Sequence, residues 1–243
     1  MDRRQPIVLE FLGPPGVGKS MVARELDSAL RKQGYSTTNK IYNNSRIESS
    51  VHRNLDKFKY IFKSIVSDPA DSIKRYRAIA DSGQPERGEF WNLFLYSCFL
   101  EGVERTLRNS GGIHVLDQGA VQLCWAIQYS GTEDITPERI LETYPTFDNH
   151  IIVFVSADPE ALYERLQNRD HGRSRVEGGS VTESDVELIQ KEMRELFNDA
   201  EDRKDLIGIQ LSNNGTVEDA VDLLLRELRQ RRIVGRTKPR GGH

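Results

Sequence analysis

Two rhythms of apolar positions divide the chain. Ile7–Leu12, Ile113–Leu116, residues 151–155 and residues 206–211 are short and apolar almost throughout. Runs of that length, bounded by Gly, Pro or Asn, predict buried strands. Residues 35–42 predict a further short strand, closed by the turn chemistry of Asn43-Asn44-Ser45. Between these runs the apolar spacing shifts to three and four. Val22, Leu26, Ala29 and Leu30 predict a helix over 21–33, ended by Gly34. Two helices follow between 46 and 81, divided at Asp68-Pro69. The first carries Leu55, Phe58, Ile61, Phe62, Ile65 and Val66, and the second Ile73, Tyr76 and Ile79. After the break at Gly83-Gln84-Pro85 a long helix spans 89–109, with Phe90, Leu93, Phe94, Ser97, Leu100, Val103 and Leu107 on one face. Trp91, Tyr96 and Phe99 lie elsewhere on it and read as core aromatics. Further helices are predicted at 120–129, 137–143 and 159–168, the last with Leu162 and Leu166 on one side. Thr182, with Asp185 at the N3 position, caps a helix to residue 200, and Thr216 caps one over 217–229. Strands alternating with helices predict an α/β fold: a parallel sheet of about five strands with helices on both faces, in three layers.

Composition narrows the class. At 243 residues one large α/β domain is the expected organisation. A hydrophobic content of 37% with 29% charged residues reads as soluble and globular. The net charge of −3 gives the whole molecule no general attraction to nucleic acid or membrane, so neither is an expected partner. No apolar run reaches the length of a membrane span, and the N-terminus leads directly into the first strand without a signal-peptide pattern. Cys98 and Cys124 are the only cysteines; both lie in apolar segments and read as reduced core thiols, which makes a cytoplasmic setting the default.

The candidate chemistry starts after the first strand. Gly13-Pro14-Pro15-Gly16-Val17-Gly18-Lys19-Ser20 fits G-x-x-x-x-G-K-[ST], the P-loop pattern. A loop whose backbone N–H groups converge on a phosphate needs residues that tolerate that backbone, and Gly16 and Gly18 supply them. Lys19 brings positive charge to the β- and γ-phosphates, Ser20 a hydroxyl for Mg²⁺, and the following helix its N-terminal dipole. Strand, loop and helix stand in the order this function requires. The internal G-x-G is no dinucleotide fingerprint, because Met21 occupies the third glycine position.

Asp117 ends the strand Ile113–Leu116 and falls on the same sheet rim as the P-loop, where ligands of parallel sheets bind. It suits orientation of the Mg²⁺ shell or acceptance of a proton from an attacking hydroxyl. His114, inside that strand, reads as structural. Arg165 and Arg169 share a helical face, and Arg173 and Arg175 follow in a Gly-, Arg- and Ser-rich segment, 170–181, that reads as a mobile lid. Guanidinium groups stabilise the charge of a transferring phosphoryl group, and a closing lid excludes water. The alternative is a charged helix end. Arg46, Arg53, Lys57, Lys59, Lys63, Lys74, Arg75 and Arg77 make the 46–88 segment locally basic, either to dock an anionic acceptor or as a solvated helical face.

On these residues the chain resembles the thymidylate kinase family of nucleoside monophosphate kinases, over most of residues 6–228. Asp158-Pro159-Glu160, Leu162, Arg165, Arg169 and Arg175-Val176-Glu177 are similar to that family's lid segment. The P-loop, Asp117 and the loop at Ser212-Asn213 fall in matching order. The resemblance implies a five-stranded parallel sheet, ATP as phosphate donor, Mg²⁺, and a homodimer. It implies that Arg169, Arg173 and Arg175 engage phosphates and that Ser212, Asn213 and Asn214 lie beside the adenine. Four positions depart from the family pattern. Pro15 replaces an Asp, Gln118-Gly119 replaces Arg-Tyr/Phe after Asp117, Tyr96 stands where the long helix presents an Arg, and Asn43-Asn44-Ser45-Arg46 replaces an Arg-Glu-Pro-Gly loop. The donor half matches and the acceptor half does not.

The expected organisation is a P-loop kinase-like domain over 1–230, with 46–88 as a helical acceptor-side segment and 170–181 as lid, followed by a flexible basic tail, 231–243. The expected nucleotide contacts are Gly13, Pro14, Gly16, Val17, Gly18, Lys19, Ser20, Arg169, Ser212 and Asn213. Catalysis is expected from Lys19, Asp117, Arg173 and Arg175, and metal binding from Ser20 and Asp117. The expected activity is transfer of the ATP γ-phosphate to a small molecule, with a nucleoside monophosphate as one option. The alternative is a P-loop ATPase or switch acting on a protein partner. Guanine specificity is not expected, because no suitably placed Asp follows Asn39-Lys40. With neutral residues at 96 and 118, dTMP is expected to be a poor substrate.

Overall fold

A computed structural model describes residues 5–38, 50–145, 147–168, 181–202 and 206–235. The predicted lid with Arg169, Arg173 and Arg175, and the turn at 43–46, lie outside these residues. Five parallel strands form one sheet in the order β2-β3-β1-β4-β5: β1 (Ile7–Leu12), β2 (Thr37–Thr38), β3 (Ile113–Leu116), β4 (Asn149–Ser156) and β5 (Leu206–Ser212). β1 is central, with Glu10 level with Leu116 on one side and Ile152 on the other. Chain order reverses there, so the loop leaving β1 opens at the switch point where ligands of such sheets bind.

The strands are apolar on both sides because both sides are covered. Leu9 and Phe11 of β1, with Ile151, Val153 and Val155 of β4, face α1 (Lys19–Lys32) and the final helix (Val217–Gln230). Leu12, Ile152 and Phe154 face the opposite layer. That layer contains the long helix Arg87–Leu107 and the helices Ala120–Ser130 and Glu183–Glu201. In chain order the remaining helices are α2 (Ser50–Ser67), α3 (Pro69–Asp81), α6 (Glu138–Leu141) and α7 (Pro159–Gln167). The long helix is α4, Ala120–Ser130 is α5, Glu183–Glu201 is α8 and Val217–Gln230 is α9. With the P-loop between β1 and α1, the architecture is the predicted three-layer P-loop α/β fold.

Local signals place the boundaries. α1 ends where Gly34 takes a positive φ of 87° and Tyr35 N–H reaches back to the Leu30 carbonyl at 3.1 Å, the Schellman arrangement. Asp68 caps α3, with Pro69 at its first position. Thr182 and Thr216 both form full capping boxes, with Asp185 and Asp219. Gly102 lets α2 approach α4, since a side chain there would collide with the Tyr60 backbone.

Three features differ from the sequence reading. The apolar stripe of α2 does not face the core: Leu55, Phe58, Phe62 and Val66 are exposed. Of the three extra aromatics on α4, Phe99 is buried, Tyr96 is half-buried and Trp91 is 50% exposed, against Tyr76 at 6.3 Å between ring centroids. The first residues of the predicted tail are packed: Val234 is buried, Ile233 lies on the α1–α9 core, and Tyr35 hydroxyl donates to the Gly235 carbonyl at 2.6 Å. Residues 236–243 lie outside the described residues. Cys98 and Cys124 are both buried, as expected.

Candidate active site

The loop after β1 has the backbone that its sequence requires. Gly13, Gly16 and Gly18 take φ values of 154°, 81° and 92°. Gly13 passes so close to the Val155 carbonyl that no Cβ fits, and a Cβ on Gly18 would lie 2.6 Å from the Asn213 amide nitrogen. Gly18 is the N-cap of α1 and offers no side-chain acceptor. The N-terminus of α1 thus carries no side-chain cap, and the helix dipole there favours an anion.

Lys19 lies across the loop, its ammonium donating to the carbonyls of Gly13 at 2.5 Å and Pro14 at 3.0 Å. The Gly13 N–H donates to the Gln122 side chain at 3.2 Å. Ser20, at the start of α1, donates from its hydroxyl to Asp117 Oδ2 at 3.1 Å. The second Asp117 oxygen, Oδ1, is buried and has no hydrogen-bond partner among the described residues. Burial pushes the Asp117 carboxyl above its ordinary range, and the Ser20 hydrogen bond and the Lys19 charge oppose that shift. A hard cation completes this pair well. Mg²⁺ takes oxygen ligands, is held by one or two protein groups, and fills its remaining positions with water and phosphate oxygens. No group of three or more His, Cys, Asp or Glu suited to a metal occurs among the described residues, and Mg²⁺ of this kind needs none.

The loop expected beside the adenine is tied to the P-loop. Asn213 is buried, and its side-chain amide donates to the Val17 carbonyl at 2.7 Å. Its backbone N–H donates to the Ser156 carbonyl at 2.8 Å, and Arg165 Nη2 donates to the Asn213 carbonyl at 3.1 Å. Asn213 thus braces the P-loop from beneath, and Arg165 fixes Asn213. Ser212, level with Ser156 at the end of β5, remains exposed on the rim. Asn214 instead pairs with Asp158, accepting its N–H at 2.8 Å.

On the other side of Asp117, Tyr96 hydroxyl donates to Gln118 Oε1 at 3.3 Å. The two neutral residues that replace the resembled family's arginines meet at one place, between α4 and the end of β3.

Two further residues were not anticipated. Glu10 is fully buried. Its Oε1 accepts the Val121 N–H at 2.7 Å, at the first turn of α5, and its Oε2 lies 3.1 Å from His150 Nε2 on β4. It occupies the space that a side chain at Gly119 would need. Glu10 therefore holds the start of α5 and with it the Asp117-Gln118-Gly119 turn. A single acid inside the apolar run Ile7–Leu12 was its sequence signal. Gln122 had none, since its spacing from Asp117 means nothing until α5 turns it toward Gly13.

No protein-family model matches the chain, and no curated protein matches it. Among solved structures it is similar to deoxyadenosine kinase from M. mycoides with bound dCTP: 16% identity, TM-score 0.48, covering 92% of this chain and 100% of that one. A second structure of that kinase, with the products dCMP and a flexible dCDP bound, gives 15% identity and a TM-score of 0.46, covering 93% and 100%.

Proposed function

We propose that this chain is an ATP- and Mg²⁺-dependent phosphotransferase that phosphorylates the hydroxyl of a nucleoside-like small molecule. The observation that carries this reading is the junction of Ser20 and Asp117 at the mouth of a P-loop whose helix N-terminus is uncapped. The β- and γ-phosphates lie in the ring of loop N–H groups. Lys19 exchanges its two carbonyl contacts for phosphate oxygens. Ser20 and Asp117 would hold Mg²⁺, which would supply charge neutralisation at the phosphates. The lid arginines Arg169, Arg173 and Arg175 complete the charge around the transferring group and keep water away.

The acceptor class follows from Tyr96 and Gln118. A nucleoside monophosphate brings a phosphate of nearly two negative charges, which guanidinium groups bind well and neutral amides or hydroxyls bind poorly. The Tyr96–Gln118 pair offers hydrogen bonds without charge, which suits the hydroxyls and base edge of an unphosphorylated nucleoside.

The test is transfer from labelled ATP to a panel of nucleosides, nucleoside monophosphates and sugars. Transfer to at least one nucleoside, with dTMP far below it, is the expected result. Efficient use of dTMP, with kcat/KM in the range of about 10⁴–10⁸ M⁻¹s⁻¹, overturns the acceptor assignment. ATP turnover that needs a protein and no small acceptor overturns the kinase assignment in favour of an ATPase.

A further inference from the structure

The helix α5 begins without a cap of its own. Its N-cap is Gly119, which has no side chain to offer, and its first turn holds no acid. A helix start is usually satisfied by Ser, Thr, Asp or Asn at the N-cap, whose oxygen accepts the N–H of the second or third helical residue. Here that acceptor comes from another strand. Glu10 Oε1 on β1 takes the N–H of Val121, the second residue of α5, at 2.7 Å. The Glu10 carboxyl also fills the volume that a capping side chain on Gly119 would occupy. An acid at this end of a helix meets the dipole favourably.

Glu10 is fully buried, so its second oxygen needs a partner as much as the first. Oε2 lies 3.1 Å from His150 Nε2. The strand register explains the contact. Glu10 is level with Ile152, and His150 is level with Val8, so the two side chains stand one pleat repeat apart on neighbouring strands and on the same face. The buried Phe147 ring meets the imidazole edge-on at 5.8 Å between centroids, and the His150 side chain is only 9% exposed. His150 is the second residue of β4, at the end of the sheet away from the P-loop. A line of contacts thus runs from the base of the sheet, through Glu10, to the first turn of α5, which directly follows Asp117-Gln118-Gly119. Without a donor at position 150, Oε2 is buried and unsatisfied, a state the carboxyl escapes by turning away from Val121 toward water.

We propose that His150 is a positioning residue for the metal-side turn: by holding Glu10 on the Val121 N–H it fixes the start of α5, and with it Asp117, for binding of nucleotide with Mg²⁺. The proposal rests on the Ser20–Asp117 metal site of the function proposed above. Two measurements on the full chain test it: calorimetric titration with ADP, with and without Mg²⁺, and amide exchange over residues 118–124 in the nucleotide-free protein. His150→Asn and His150→Ala fall short of Glu10, whereas the amide nitrogen of His150→Gln takes the place of Nε2. In the first two variants affinity for ADP with Mg²⁺ is expected to fall about five- to tenfold and Val121 exchange to quicken by a similar factor, while ADP alone binds within about twofold of wild type. His150→Gln is expected to restore both readouts. In a Glu10→Gln background His150→Asn is expected to change neither, because the line is already cut at Glu10. Equal losses with and without Mg²⁺, losses that His150→Gln does not recover, or an unchanged His150→Asn overturn the proposal and leave His150 a structural residue. A wild-type protein whose ADP affinity ignores Mg²⁺ overturns instead the metal reading of Ser20 and Asp117, a result visible before any variant is made.

Discussion

Asp117 concentrates the electrostatics of the candidate site in one side chain. Burial raises its carboxyl above the ordinary range, against the hydrogen bond from Ser20. Asp117→Asn preserves shape and removes charge, so nucleotide binding is expected to persist while turnover falls by about 10²–10⁴. Separate measurements of ATP binding and turnover check this, and unchanged turnover would reduce Asp117 to a turn residue. Lys19→Ala, which removes the phosphate-facing charge, is expected to cost about 2–4 kcal/mol in transfer. Glu104 is a second buried acid with another consequence. Burial, and then Glu10 and Glu101, push it well above its ordinary range against the opposing Arg75 charge, and neither carboxylate oxygen has a hydrogen-bond partner among the described residues. The folded chain thus holds this proton where the unfolded chain has released it. Stability therefore falls as pH rises from the ordinary carboxylate range toward the raised value. Glu104→Met is expected to stabilise the protein by about 1–3 kcal/mol at neutral pH and to flatten that slope. Urea unfolding at acidic and neutral pH measures both, and an unstable variant with the same slope would contradict the assignment.

Between elements, the site depends on a few buried polar connections. Glu10 joins β1 to α5 and β4, and α5 in turn sets Gln122 against Gly13. Glu10→Ala strands the Val121 N–H and leaves His150 unmatched. Stability is expected to fall by about 2–4 kcal/mol, with weaker nucleotide binding as the Asp117 turn and the P-loop lose their common support. Glu10→Gln keeps an acceptor for Val121 and is expected to recover most of the binding. Nucleotide titration of both variants decides between support of the site and a purely structural role. Arg75 plays a comparable part in the acceptor-side helices. It is fully buried on α3 and donates to the Thr143 carbonyl at 2.9 Å, and to Ser64 and Ser72 at 2.9 and 3.1 Å. The basic residue read from sequence as a candidate anion contact is thus a clamp between helices.

Across the whole molecule, the C-terminal end closes the layer formed by α1 and α9. Val234 is buried there and Ile233 is packed beside it. Ending the chain at Gln230 removes both, so a loss of about 2–4 kcal/mol is expected from their apolar burial. Thermal unfolding of the truncated protein measures it. An unchanged midpoint would restore the reading of this segment as a loose tail.

The sequence by itself determined the strands, their order with the helices, the P-loop and its direction, because these depend on contacts near in the chain. Continuous apolar runs need burial on both faces, and the Gly-rich loop encodes its own positive φ values. Thr182 and Thr216 capped their helices as their neighbours dictated. Asp117 was legible because it ends an apolar strand on the same rim as the P-loop. Tertiary structure decided the rest. Only the packing of α2 on α4 showed which of its two apolar stripes faces inward, since both satisfy helical periodicity. The hydrogen bond from the Asn213 side chain to the Val17 carbonyl joins residues 196 apart, so no local pattern announced it. Gln122 and Tyr96 acquired their partners across 109 and 22 residues of chain, distances over which no local pattern carries information.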